Sequence, residues 1–436
     1  MEQKMNMLKK LSIITFFVLF IAQSPMAGNN ENESKSLPLD DIRIFTEIFS
    51  KIKDDYVEDI DDKKLLENAI RGMLQGLDPH SAYLDEVAYK QLQEGTSGEF
   101  GGLGIEVGSE DGFVKVISPI DGTPAERAGI KAGDLIIRLD EKSVKGISLM
   151  EAVKMMRGKP GSEITLTIVR EGEEKPFDII IVRDVITVQN IKAETLESGF
   201  AYVRIANFQT HTVDDLKKAL IKLKDQNTDE LKGLVMDLRN NPGGLLNAAV
   251  GVSDLFLNNG LIVYTEGRIK DSKLKFNAKP TEMFKNVPMV ILVNGGSASA
   301  SEIVAGALQD HSRAIIMGER TFGKGSVQTI LPMNNQTALK LTTARYFTPS
   351  GRSIQASGIE PDMIVKNVTF DTNRENKSNG LIKESDLSGH LDEKNSENDN
   401  VEKEMKNNNL FIENDYQLYE ALNLLKGLWI HLKKTG

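Results

Sequence analysis

The chain has 436 residues, 40% hydrophobic and 27% charged, an ordinary globular composition long enough for two or three domains. A formal net charge of −10 and a pI near 5.3 argue against nucleic acid as the main partner, since phosphate binding needs a basic surface. With no cysteine, disulfides, thiolate catalysis and Cys-ligated zinc are excluded; with five histidines and no HExxH pattern, no histidine-based metal site is expected.

Lys4, Lys9 and Lys10 precede the uncharged run "LSIITFFVLFIA", Leu11 to Ala22. As a helix this run would span roughly 18 Å, short of a bilayer core. Basic, then apolar, then the small-residue stretch "QSPMAG" reads as a secretory signal over residues 1–27, cut after Ala27. Pro25 falls where a small residue is preferred, which leaves a retained membrane anchor open. Residues 28–38 are a polar spacer.

Residues 39–97 read as helical: "DDIRIFTEIFSKIKDDYV" and "DKKLLENAIRGMLQGL" repeat apolar residues at spacings of three and four. "GLDPHSAYLD" breaks that pattern with Gly76 and Pro79. From 98 to 183 the texture changes to short strands with glycine punctuation. "TPAERAGIKAGDLIIRLD" gives a short helix, a turn and a strand, and "SLMEAVKMMRG" is an amphipathic helix opened by a Ser148/Glu151 capping box. Across 184–368 apolar strands such as "KGLVMDLR", "PMVILVN" and "RAIIMG" alternate with helices such as "TVDDLKKALIKLK" and "SEIVAGALQD". That alternation argues for a layered α/β domain around a mostly parallel sheet buried on both faces. Residues 369–409 are too polar to fold alone. In 410–436 a helix carries Leu418, Leu422, Leu425 and Trp429 along one stripe, which would dock on the body or on a partner chain.

The stretch "VNGGSASASEIVAGALQDH" holds three serines between a strand and a helix. Ser299 and Glu302 fit a capping box, and on spacing alone that structural role is sufficient. The same position also suits a nucleophile, because free N–H groups at a helix start can hold an oxyanion. "ERTFGKGSVQTI" places Lys324 between two glycines, with Gln328 four residues on. If that turn is helical, the amide can orient the lysine; if it is extended, the two lie about 13 Å apart. Alone, each motif has an ordinary reading: Lys324 as a surface lysine, "LRNNPGGLL" as a tight turn after a buried strand.

Together, "GSASASE", "FGKGSVQ", "DPHSAYLD", "SGEFGGLGIEV", "GTPAERAGIKAGDLIIRLD", "LRNNPGGLL" and "PSGRSIQASGIEPD" resemble the carboxyl-terminal processing (tail-specific) peptidases, a Ser–Lys serine protease family with an inserted PDZ domain. The resemblance runs in order from about Asp78 to Val365. It implies a multidomain α/β fold: an N-terminal helical segment, a β-rich PDZ domain with two helices, a crotonase/ClpP-like α/β protease core, and a C-terminal helix. It puts the nucleophile on Ser299, the general base on Lys324 and the lysine-orienting amide on Gln328. Ser297 and Ser301 become supporting residues, and the oxyanion donors fall on the N–H groups of Gly244 and Ala300. In the PDZ domain, Gly102, Leu103, Gly104 and Ile105 would offer N–H groups to a peptide's terminal carboxylate, with Leu103, Ile105 and Val153 lining an apolar pocket.

A serine hydroxyl needs a base, and an amine serves only when neutral. An ordinary lysine near pKa 10.4 is about 0.04% neutral at pH 7. Bringing it to roughly 7 takes about 4 kcal/mol of disfavoured charge, which burial can supply. No acid should therefore pair closely with Lys324, and Glu319 is expected to point away. The function this implies is an exported, periplasmic or extracytoplasmic serine endopeptidase, needing neither cofactor nor metal, that acts on protein substrates with free, apolar C-termini. The competing readings are a PDZ scaffold with an inactive or resting core, and a CoA-dependent enzyme on a similar core; no basic cluster for CoA phosphates lies near the glycine turns. Homo-oligomer formation, membrane association through a retained anchor and the role of the tail stay open.

Overall fold

The computed structural model describes residues 37–226, 231–367 and 415–435. The signal sequence and the polar linker lie outside these residues. The chain up to Ile70 forms one compact unit and the chain from Arg71 another. In the first, α1 (Leu39–Asp55) carries Ile42, Phe45, Ile48 and Ile52 at helical spacing with none of its residues buried. Helix α2 (Asp62–Gln75) follows and continues past the boundary. Among the described residues no helix is long and apolar enough to cross a membrane.

The second unit opens with β1 (Ala82–Leu84) and α3 (Glu86–Ser97), capped by the Asp85 carboxylate, which accepts from the Ala88 N–H at 2.9 Å. The small domain then runs β2 (Glu99–Gly102), β3 (Ile105–Glu110), β4 (Phe113–Pro119), α4 (Pro124–Arg127), β5 (Leu135–Leu139), β6 (Lys142–Ser143), α5 (Leu149–Met156), β7 (Glu163–Val169), β8 (Phe177–Val182) and β9 (Asp184–Thr187). Strands β2 and β9 pair where the chain enters and leaves, and β3-β4-β5-β7-β8 form an antiparallel sheet with β6 on β5. Ile164, Leu166 and Ile168 alternate into its core with Ile136 and Leu139, the period of two that a half-buried strand requires. Ser148 caps α5 from its hydroxyl, as its spacing to Glu151 predicts.

The large domain continues with β10 (Ile191–Glu197), β11 (Phe200–Ile205), α6 (Thr212–Gln226), β12 (Gly233–Asp237), α7 (Leu246–Asp254), β13 (Leu261–Gly267), β14 (Lys275–Asn277), β15 (Met289–Val293), α8 (Ala300–Asp310), β16 (Ile315–Gly318), β17 (Ser326–Pro332), β18 (Ala338–Phe347), β19 (Met363–Ile364) and the tail helix α9 (Tyr416–Thr435). Its main sheet has the order β10-β11-β12-β15-β16-β19, parallel except for β10. Both faces are covered. Leu234, Met236, Ile291 and Val293 pack with α6, α7 and α8, while Val235, Val290 and Leu292 meet Leu418, Ala421, Leu422 and Leu425 of α9. The tail stripe therefore docks on the chain's own body.

A salt-bridged clamp holds the start of that helix. Asp415 donates no charge to solvent alone: its carboxylate accepts two bonds from Arg239, at 2.8 and 2.6 Å, and one from the Leu418 N–H. Arg239 also binds the fully buried Asp237 at 3.0 and 2.7 Å. Burial would raise the Asp237 pKa, but the bonds and charge of Arg239 outweigh it and hold the group below the usual carboxylate range.

A second, antiparallel sheet was not foreseen. It has the order β1-β18-β13-β14, with β17 paired to β18. It brings "DPHSAYLD" against the lysine segment: the Asp78 carboxylate accepts from the Ser81 hydroxyl at 2.6 Å and from the Thr342 hydroxyl of β18 at 3.1 Å.

Candidate active site

Three parallel strands deliver the site from one end of the sheet, as the crevice rule for open α/β sheets leads one to expect. Strand β12 runs into Asn240–Gly244, β15 into the serine loop, and β16 into the lysine loop. Ser299 stands immediately before α8 with φ +56° and ψ −111°, a backbone conformation that serine rarely adopts and that surrounding contacts must enforce. Those contacts are the supporting serines and Asn241. Ser297 Oγ donates to the Leu238 carbonyl at 2.8 Å and Ser301 Oγ to the Asn241 carbonyl at 2.9 Å, both fully buried. The Ala298 N–H donates to the same Asn241 carbonyl at 3.0 Å. The serine loop is thus laced to the Asn-Pro-Gly-Gly turn.

That turn needs its glycines. Gly243 and Gly244 have φ +105° and +141°, and a Cβ on Gly243 would sit 2.8 Å from Ser299 Cβ and 2.9 Å from the Ala300 nitrogen. A Cβ on Gly244 would lie 2.1 Å from the Phe208 carbonyl. The N–H groups of Gly244 and Ala300 meet no acceptor among the described residues. Two unpaired donors beside a serine are what an oxyanion site requires.

Glu302 has a larger part than capping. Its fully buried carboxylate accepts from the Ser299 N–H at 2.7 Å and the Lys324 N–H at 2.9 Å on one oxygen. The other oxygen accepts from the Thr321 hydroxyl at 2.6 Å and the Gly323 N–H at 2.7 Å. One carboxylate therefore ties the nucleophile loop to the base loop. The Gly325 N–H adds a bond to Gln355 at 3.0 Å, from the "PSGRSIQ" segment.

Lys324 is half-buried and forms no ion pair among the described residues. Burial lowers its pKa, the like charge of Lys340 lowers it further, and Glu302 pulls weakly the other way. His80 is also held below the usual imidazole value, first by burial and then by the Lys324 charge. Glu319 lines a polar cavity with Arg204, Arg239 and Asn240 instead of facing the amine. No hydrogen bond joins the Ser299 hydroxyl to the Lys324 amine in this arrangement.

Gln328 is not brought to Lys324. It lies on the extended strand β17, and its amide donates to the Ser326 hydroxyl at 2.9 Å and the Ser326 carbonyl at 3.3 Å. The helical alternative for this turn is corrected: four extended residues separate the two side chains by about 13 Å.

In the small domain, Leu103 is buried, and the carbonyls of Leu103 and Gly104 are held inward by the N–H groups of Ala125 and Ile120. The N–H groups of Leu103 and Gly104 meet no acceptor among the described residues, whereas Gly102 belongs to β2. Strand β3, which starts at Ile105, ends its sheet, and Ile105 and Val153 pack partly buried against the domain core.

Residues 199–365 match peptidase family S41 and residues 101–181 match a PDZ domain, while residues 17–88 match the N-terminal domain of the activating protease CtpB. The carboxy-terminal-processing protease of Bartonella bacilliformis is 47% identical over 95% of this chain and 94% of its own length. The carboxy-terminal processing protease CtpA of Bacillus subtilis is 39% identical over 72% of this chain and 67% of its own. A solved photosystem II D1 C-terminal processing protease is 31% identical over 74% of this chain and 92% of its own, with a TM-score of 0.43. The chain belongs to the carboxy-terminal-processing proteases of peptidase family S41, serine peptidases that here carry a PDZ domain.

Proposed function

We propose that the chain is an exported endopeptidase in which Ser299 and Lys324 form the catalytic dyad and the PDZ domain receives the substrate's free C-terminus. The neutral Lys324 amine takes the Ser299 proton as Oγ attacks the scissile carbonyl. The N–H groups of Gly244 and Ala300 hold the oxyanion. The ammonium so formed protonates the leaving amine, and the acyl-enzyme is released when the amine activates a water molecule. The observation that carries this reading is a lysine without a counter-ion, lowered by burial, whose N–H shares the Glu302 carboxylate with that of Ser299. The missing bond between Ser299 Oγ and the amine favours a resting register that bound substrate completes. Export to the periplasm or the outer face of the membrane rests on the basic and apolar pattern of residues 4–22.

A fluorophosphonate should label the wild-type enzyme on Ser299, read by mass spectrometry of the digested protein. An adduct on another side chain would remove the assignment. Tail recognition is tested with one apolar-ended, unstructured peptide, made with a free carboxylate and as its C-terminal amide. Loss of a carboxylate held by backbone N–H groups should raise KM about tenfold, the scale of a charged hydrogen bond. Equal KM for both peptides would show that the tail is not sensed through its charge.

A further inference from the structure

With Gln328 turned to Ser326, the side chain that reaches both members of the dyad is Tyr346. It lies on β18 and is 2% exposed. Its backbone N–H donates to the Gly325 carbonyl at 2.9 Å, and its hydroxyl donates to the Lys324 carbonyl. The same hydroxyl hydrogen-bonds the Ser299 side chain. Burial keeps the phenol protonated far above neutral pH. A phenol has a single hydrogen; with that hydrogen on the Lys324 carbonyl, its oxygen can only accept from Ser299.

We infer that Tyr346 is a positioning residue, whose hydroxyl fixes the Ser299 side chain and the Lys324 backbone in one frame. The Ser299 oxygen is held in its rotamer by the phenol. When substrate brings the amine close, rotation of the Ser299 O–H from the phenol to the amine is sufficient for proton transfer, and Tyr346 keeps its own hydrogen throughout. The inference rests on the Ser299–Lys324 reading and adds the group that holds the pair in register before they meet.

Tyr346→Phe keeps the ring and removes the bridge. Peptide cleavage across pH, fluorophosphonate labelling and thermal unfolding are compared with wild type. The expected result is a kcat lower by about tenfold or more, the scale of one transition-state hydrogen bond, with KM within twofold. The pH inflection stays in place because the amine's burial is intact, and Ser299 labelling slows in parallel. A kcat within twofold of wild type overturns the inference. So does a lower kcat with the inflection moved up toward ordinary lysine, since that assigns the phenol to packing alone. Failure of wild-type Ser299 to label overturns the dyad itself and this inference with it, whereas a labelled wild type with an unaffected variant overturns only the inference. If the variant does not fold, 3-fluorotyrosine at position 346 keeps ring and hydrogen but weakens the accepting oxygen, and kcat should fall severalfold.

Discussion

Ser299→Ala and Lys324→Met should each reduce turnover by about 10⁴-fold or more, the loss seen when one member of a nucleophile–base pair is removed. The double variant should be no worse than either single one, because the two groups act as a unit. Peptide binding should persist, since neither side chain lies in the PDZ groove. Lys324→Met exchanges a desolvated cation for an apolar chain of similar length, so unfolding is not expected to explain the loss. The pH dependence has a definite sign. Burial first and Lys340 second lower the Lys324 pKa, so the neutral, active amine accumulates as pH rises through an inflection below the usual lysine range. Lys324→Arg keeps the cation at every accessible pH and should be inactive throughout. Wild-type turnover by Ser299→Ala would end the serine mechanism proposed for this chain.

The parts of this architecture that could be read from the sequence were those with uninterrupted signals. Strands β12 and β15 are buried on both faces and appear as "GLVMD" and "MVILV", and the helix after Ser299 announces itself by its cap. The antiparallel sheet was missed because β1 has three residues and because β13 and β14 join residues far apart in the chain, which no local period reports. β10 escaped for another reason: as an edge strand reading "IKAETLE" it has no continuous apolar run.

At the site, Ser299 and Lys324 were found through motifs, while the groups that hold them were not. Glu302 was legible only as a capping partner. Its bonds to Thr321, Gly323 and Lys324 come from a loop about twenty residues downstream and depend on β15 and β16 lying side by side. Tyr346 and Gln355 reach the lysine loop from the second sheet and the segment after it, so their nearness to Lys324 is purely tertiary. Gln328 failed on local geometry, since the choice between turn and strand was open and β17 pairs with β18 along its whole length.

Glu302→Gln is the second change with a large expected effect, and its signature separates it from simple loosening. The carboxylate accepts two donors on each oxygen, whereas an amide offers one oxygen and an NH2 group. Whichever way the amide turns, its NH2 faces two donors that lose their acceptor. At about 1–3 kcal/mol for each buried unsatisfied donor, kcat should fall by roughly 10² to 10³ as the serine and lysine loops part. Removal of the negative charge acts in the opposite direction on the base. Glu302 is the influence that raises the Lys324 pKa, so its loss should move the activity inflection to lower pH even as the plateau drops. Water entering a loosened site would move that inflection upward, by relieving the desolvation that depresses it. A pH–rate profile of Glu302→Gln therefore decides between the two: a lower plateau with a downward-shifted inflection supports a charged clamp between the two loops, and an unchanged plateau excludes it.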